Sequence, residues 1–171
     1  MMNKVRSHFH KLGAKPFIIG TVLLLIVLDI MNSLYLRLYW VHKNLSVLFV
    51  KRLANTQGLE FRQLSQQTIL EVQAMVNNAF FFFLLIVLIN NLFFYFFYLR
   101  KKMWAQGYVL FYTITNSILA ISFLIEGGIL GWGWFTYNAA SILLYFYLYL
   151  GVKTFKFDSS VTIPVNGKTG Q

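Results

Sequence analysis

Side chains able to do chemistry are scarce in the apolar parts of this chain, and they are not scattered. Asp29, Asn32 and Ser33 fall in one apolar stretch and Asn90 and Asn91 in a second; Thr113, Asn116 and Ser117 fall in a third, and Asn138 and Ser141 in a fourth. A carboxylate among amides and hydroxyls can hold a proton, take a cation, or accept hydrogen bonds that fix helices against one another. Asp29 is the only carboxylate well inside such a stretch. An aspartyl protease needs two carboxylates sharing a proton, so that chemistry is excluded. A serine protease inside a membrane needs a histidine there, and His8, His10 and His42 all lie outside the stretches, which also removes bis-histidine haem. No P-loop, dinucleotide fingerprint, HExxH or nucleophile elbow occurs. The chain has no cysteine, which removes disulfides and thiolate metal sites, and His8 and His10 have no carboxylate beside them to complete a metal site. The expectation is a protein with no catalytic residue, no metal and no cofactor.

The elements that must position these residues are the stretches themselves. They cover about 16–39, 79–99, 107–125 and 129–151, each near or above the roughly 18 apolar residues that argue for a membrane span. With 58% hydrophobic, 19% aromatic and only 12% charged residues, the composition exceeds what a soluble core of this size needs. The prediction is an all-α integral membrane protein with four transmembrane helices, forming a single membrane domain over 1–171. At 1.5 Å per residue, Asp29, Asn90, Asn91, Asn116 and Asn138 fall within a few ångströms of the bilayer midplane. Helical spacing puts Asp29 and Ser33 on one face, Thr113, Asn116 and Ser117 on another, and Trp134, Asn138, Ser141 and Tyr145 on a third. Such a layer has two readings. It can specify how greasy helices pack, each bond contributing about 0.6 kcal/mol. It can also be an ion or proton site centred on Asp29, because an unpaired charge at that depth costs at least about 2.5 kcal/mol. The residues leave both open, along with whether Asp29 is ionised.

Between the first two spans, residues 40–78 contain no proline and one central turn signal, Asn55-Thr56-Gln57-Gly58. Two legs of similar length flank it, so spans one and two are expected to continue outward as a helical hairpin; the alternative is an outgoing leg that lies flat in the membrane interface. Leu45, Leu48, Phe49, Leu64, Val72 and Met75 on the legs, with Phe94 and Phe97 on the second span, are the candidate contacts for a partner. The short segment between spans two and three, and Glu126-Gly127-Gly128 between three and four, make the last two spans antiparallel neighbours.

Lysine and arginine near spans stay in the cytoplasm. With the amino terminus inside, ten basic residues are cytoplasmic and five outside, and the Arg100, Lys101, Lys102 triplet directly after the second span is the main topology determinant. The first span then acts as an uncleaved signal anchor, and 152–171 forms a cytoplasmic tail. The formal charge of +10 resides in short segments beside the spans, where it meets lipid headgroups and not nucleic acid. The reading that fits best is an accessory, assembly or scaffolding subunit in a plasma membrane, specifically a bacterial inner membrane. Its partners are the bilayer and either another membrane subunit or further copies of the chain. A channel or transporter subunit conducting through the Asp29 layer is the first alternative, and a membrane sensor with the hairpin as input is the second.

Overall fold

Apolar residues surround the first long helix on all sides, but only one side is covered by protein. Phe17, Ile18, Thr21, Val22, Leu25, Leu28 and Asp29 are buried at three- and four-residue spacing, whereas Ile19, Leu23, Val27, Ile30, Leu34 and Leu38 on the other faces are equally apolar and exposed. A helix apolar all round belongs in a medium as apolar as its own core. In the computed structural model, which describes residues 2–58, 60, 61, 64–125, 131–155 and 157, the chain forms six helices. These are α1 (Met2–Leu12), α2 (Ala14–His42), α3 (Leu45–Thr56), α4 (Gln66–Leu99), α5 (Met103–Ile125) and α6 (Trp132–Thr154). Four of them, α2, α4, α5 and α6, are long and apolar enough to cross a membrane. The protein is an all-helical, multi-pass membrane protein on that ground.

The four long helices form an up-and-down bundle in which α4 packs on α2, α5 on α4, α6 on α5, and α6 closes back on α2. The α5–α6 pair is the tightest, as its sequence requires. Ala105, Val109, Thr113 and Ala120 make a buried row of small and medium residues on α5, facing Asn138, Ser141, Tyr145, Leu148 and Val152 on α6. Small side chains in such rows let two backbones approach closely, which supplies the dispersion contacts that replace the hydrophobic force inside lipid. The antiparallel pairing of the last two spans follows the expectation; the turn residues Glu126, Gly127 and Gly128 lie outside the described residues, as does the tail beyond Phe157.

Two elements differ from the expectation. The returning leg and the second span are one unbroken 34-residue helix, α4, begun by Ser65, whose hydroxyl accepts from the Thr68 amide at 3.1 Å. The outgoing leg, however, does not continue the first span. α2 stops at His42, Asn44 takes a left-handed conformation at φ 49°, and α3 starts afresh. Asparagine tolerates that region where most residues do not, which is why the break sits there. α3 ends at the anticipated turn, with Gly58 at φ 71°. It folds back against α4 by burying only Val50 and Ala54.

The second difference is α1. Its basic residues point to a topology signal, but the segment is also a helix that packs across the start of α2 and the end of α6. Phe9 is 1% exposed and sits edge-on to Phe17, with ring centroids 5.2 Å apart. Both rings press on Gly151 of α6, where an added Cβ would run into Phe17 Cζ and Phe9 Cε1. Any larger residue there must push the two rings aside.

Candidate functional site

Asp29 and Asn32 are one turn apart on α2 and face the bundle interior together. Three donors converge on the Asp29 carboxylate. Asn91 Nδ2 of α4 donates to Oδ2 at 3.0 Å, Tyr95 OH of the same helix donates to Oδ2 at 2.8 Å, and Tyr112 OH of α5 donates to Oδ1. Asn91 is itself held from both ends. Its Nδ2 also donates to Tyr112 OH at 3.0 Å, while its Oδ1 accepts from Tyr108 OH. One turn further along α2, Asn32 Nδ2 donates to Tyr145 OH at 2.7 Å and Asn32 Oδ1 accepts from Tyr137 OH at 2.8 Å. The cluster therefore contains one Asp, two Asn and five Tyr, drawn from all four long helices.

The spacing explains how each helix delivers its part. Asn91 and Tyr95, Tyr108 and Tyr112, and Tyr137, Ser141 and Tyr145 all follow four-residue steps, so successive members lie over one another on one helix face. Tyr108 and Tyr112 stack at 17° with centroids 5.8 Å apart, and Phe94 covers Tyr108 at 3.6 Å. Asp29 is 3% exposed and Tyr145 fully buried. A hydrogen bond to a charged group contributes about 1.5 to 3 kcal/mol, and an unmade one in such a place costs about as much. Chemically, the arrangement makes Asp29 an acceptor for three hydroxyl and amide donors.

The ten expected members of the polar layer separate into groups. Asp29, Asn32 and Asn91 are the centre of the cluster. Asn90 is exposed and touches it only at 3.5 Å, through Tyr108 OH. Thr113, Asn116, Ser117 and Ser141 turn back onto their own helices, donating to the carbonyls of Leu110, Tyr112, Thr113 and Tyr137. This is what short polar side chains do when no partner is offered across the interface. Asn138 is buried and, with Asn32 and Asn116, lines a cavity of about 30 Å³, enough for a water molecule or two. Ser33 lies half-buried on the α4 side of α2, beside an apolar groove. Four of the five tyrosines, Tyr95, Tyr108, Tyr112 and Tyr137, are what sequence reasoning missed; only Tyr145 is placed by spacing on the polar face of its span. Their rings count as apolar, so four hydroxyls were hidden inside stretches read as hydrocarbon. The signal that could have found them is their four-residue register with Asn91 and Ser141.

A second polar arrangement lies at the bundle end that carries the α4–α5 turn. Gln106 of α5, 6% exposed, donates from Nε2 to the carbonyls of Val152 at 2.8 Å and Phe155 at 2.7 Å, and its Oε1 accepts from the Phe157 amide at 3.0 Å. A helix leaves its last carbonyls without partners, and here one buried amide side chain supplies them for α6. Thr21 Oγ1 and Tyr98 OH, both buried, lie beside each other, and neither meets a partner at full hydrogen-bond geometry among the described residues.

The candidate partner contacts divide in the same way. Leu48, Phe49 and Met75 are exposed, while Leu45, Leu64 and Val72 are half-buried on the α3–α4 side. Phe94 and Phe97 are half-buried against α5, Phe94 on Tyr108 and Phe97 on Trp104 at 4.9 Å. Arg100, Lys101 and Lys102 are exposed in the α4–α5 turn, where Arg100 lies 4.2 Å from the Phe96 ring centroid. Among the described residues no group of three or more His, Cys, Asp and Glu is placed to hold a metal. Comparison of the chain with protein-family models, with curated proteins and with solved structures finds no match in any of the three.

Proposed function

We propose that this chain is a non-enzymatic accessory or assembly subunit of a membrane complex, with both termini on the cytoplasmic side of a bacterial inner membrane. The observation that carries the reading is that the chain's one midplane carboxylate is consumed internally. Asp29 accepts from three side chains of neighbouring helices and is 3% exposed, so its chemistry is spent on helix register. The layer then acts as the lock of the bundle, and the surfaces left for function are outside it.

Those surfaces are unusually apolar away from the spans. α3 exposes Leu48, Phe49 and Leu53, and the first half of α4 exposes Leu70 and Met75. Apolar side chains on the loop-side part of a hairpin suit a contact with another subunit better than contact with water. The test is native mass spectrometry of the tagged protein extracted from its own membrane in mild detergent, alongside a Phe49→Asp/Met75→Asp variant. A stoichiometric second polypeptide that is lost in the variant supports the subunit reading. A monomer or homo-oligomer with no such partner removes it.

A further inference from the structure

We propose that the cleft between α2 and α4 binds an anionic phospholipid, with the phosphate on Arg37 and one acyl chain in the groove below it. Two adjoining cavities make up the cleft. The first, of about 170 Å³, is almost wholly apolar, walled by Ile30, Leu34, Leu85 and Leu88. The second, of about 400 Å³, is polar at its mouth, where Asn77 and Asn78 of α4 face Trp40 of α2. Arg37, Phe81 and Leu84 line both, so the two volumes adjoin at these residues. An apolar channel opening onto a cation and two amides is the shape of an amphiphile.

The dimensions select a lipid in one leaflet. Taking Asp29 and Asn91 as the midplane, Leu88 of α4 lies about 5 Å from it and Phe81 about 15 Å, at 1.5 Å per residue. The hydrocarbon of one leaflet is about 15 Å deep. Arg37 lies eight residues beyond Asp29, about 12 Å out, so its long side chain reaches the headgroup level, and Asn77 and Asn78 lie about 20 Å out, among the headgroups. The groove therefore runs along about the outer two thirds of one acyl chain and ends where its phosphate would be.

Charge supplies the second argument. Among the described residues no carboxylate forms an ion pair with Arg37, and its guanidinium rests 5.9 Å from the Phe81 ring centroid. A cation at the hydrocarbon edge sits at the depth of lipid phosphates, and a planar guanidinium takes a phosphate through two parallel bonds. The wall beside it is built rigidly. Trp40 stacks on Phe80 at 13° with centroids 4.2 Å apart, and Trp40 Nε1 donates to Asn77 Oδ1 at 2.9 Å. That leaves Asn77 Nδ2 and the Asn78 amide to serve the headgroup.

The experiment uses the full-length protein in a neutral detergent, titrated with phosphatidylglycerol or with phosphatidylcholine of the same acyl chains, and read by native mass spectrometry. Wild type should hold one phosphatidylglycerol per chain about tenfold more tightly than phosphatidylcholine, the scale of a charge-assisted bond. Arg37→Gln should lose that preference and Arg37→Lys keep part of it. Leu84→Trp, which fills the groove, should weaken both lipids, and Arg100→Gln at the opposite end should change nothing. Equal retention of the two lipids by wild type, a preference that survives Arg37→Gln, or one that follows Arg100 overturns the proposal.

Discussion

A carboxylate that faces three donors cannot be exchanged for its amide at no cost, because the amide brings donors of its own. Asp29→Asn aims an NH₂ group at Tyr95, Tyr112 or Asn91, each of which is already donating. We expect a loss of about 1 to 3 kcal/mol in stability, whereas Tyr95→Phe, which deletes one donor and leaves the rest, should cost about 1 kcal/mol. Thermal unfolding in detergent micelles measures both, and an Asp29→Asn variant as stable as wild type would falsify the packing role. The same variant in liposomes should show the same ion and proton leak as wild type; a flux that wild type has and the variant lacks would restore the conduction reading. The buried carboxylate was legible in the sequence because Asp29 is the one acidic residue in an apolar run. Its partners were not. Asn90 and Asn91 adjoin in sequence, but a helix turns neighbours about 100° apart, so only Asn91 reaches Asp29, and nothing local says which. Thr113, Ser117 and Ser141 looked like interhelical partners by spacing alone, yet a carbonyl of their own helix is always nearer.

For the elements, legibility follows the length of the apolar run. The four spans could be read to within a few residues, and the returning leg was expected to continue the second span, as α4 does from Gln66. The thirteen residues before Ala79, including Gln66, Gln67, Thr68, Glu71, Gln73, Asn77 and Asn78, are too polar to count as span, but they keep a helical apolar face. The stop of α2 at His42 rests on one residue's conformation. Asn44→Gly should leave the break unchanged, whereas Asn44→Val, β-branched at a left-handed position, should cost about 1 to 2 kcal/mol and loosen α3. Amide hydrogen exchange across Leu45–Thr56 separates the two, and equal protection in both variants would mean that the break is set elsewhere. Gln106 is similarly local. Gln106→Ala leaves the Val152 and Phe155 carbonyls without their donor, and the last turn of α6 should exchange faster while the Asp29 cluster keeps its protection. Faster exchange throughout would mean that Gln106 supports the bundle and not one helix end.

On the scale of the whole molecule, the bundle is held at three levels. The tyrosine cluster ties all four long helices together in the bundle interior, Gln106 ties α5 to α6 at one end, and the aromatic seat on Gly151 ties α1 across that same end. Described cations at this end are Lys11, Lys15, Arg100, Lys101, Lys102 and Lys153, with no described carboxylate among them. This is the charge asymmetry that sets orientation. Because the chain has no cysteine, single cysteines introduced at Lys102 and at Gly58 can be labelled from either side without background. Lys102→Cys should react only from the cytoplasm and Gly58→Cys only from outside, and the reverse pattern would invert the topology.

The seat on Gly151 also orders events in time. Phe9 and His8 are made long before Gly151 and Tyr147; His8 and its partner Tyr147 are 139 residues apart along the chain. At about 5 to 20 residues per second, the first helix waits about 7 to 28 seconds before its docking place exists. Until then Phe9 is an exposed apolar ring on a basic helix at the membrane surface. A chain arrested before α6 keeps that ring exposed. Gly151→Ala should reproduce the state in a full-length chain, with α1 cut rapidly by added protease while the spans stay intact.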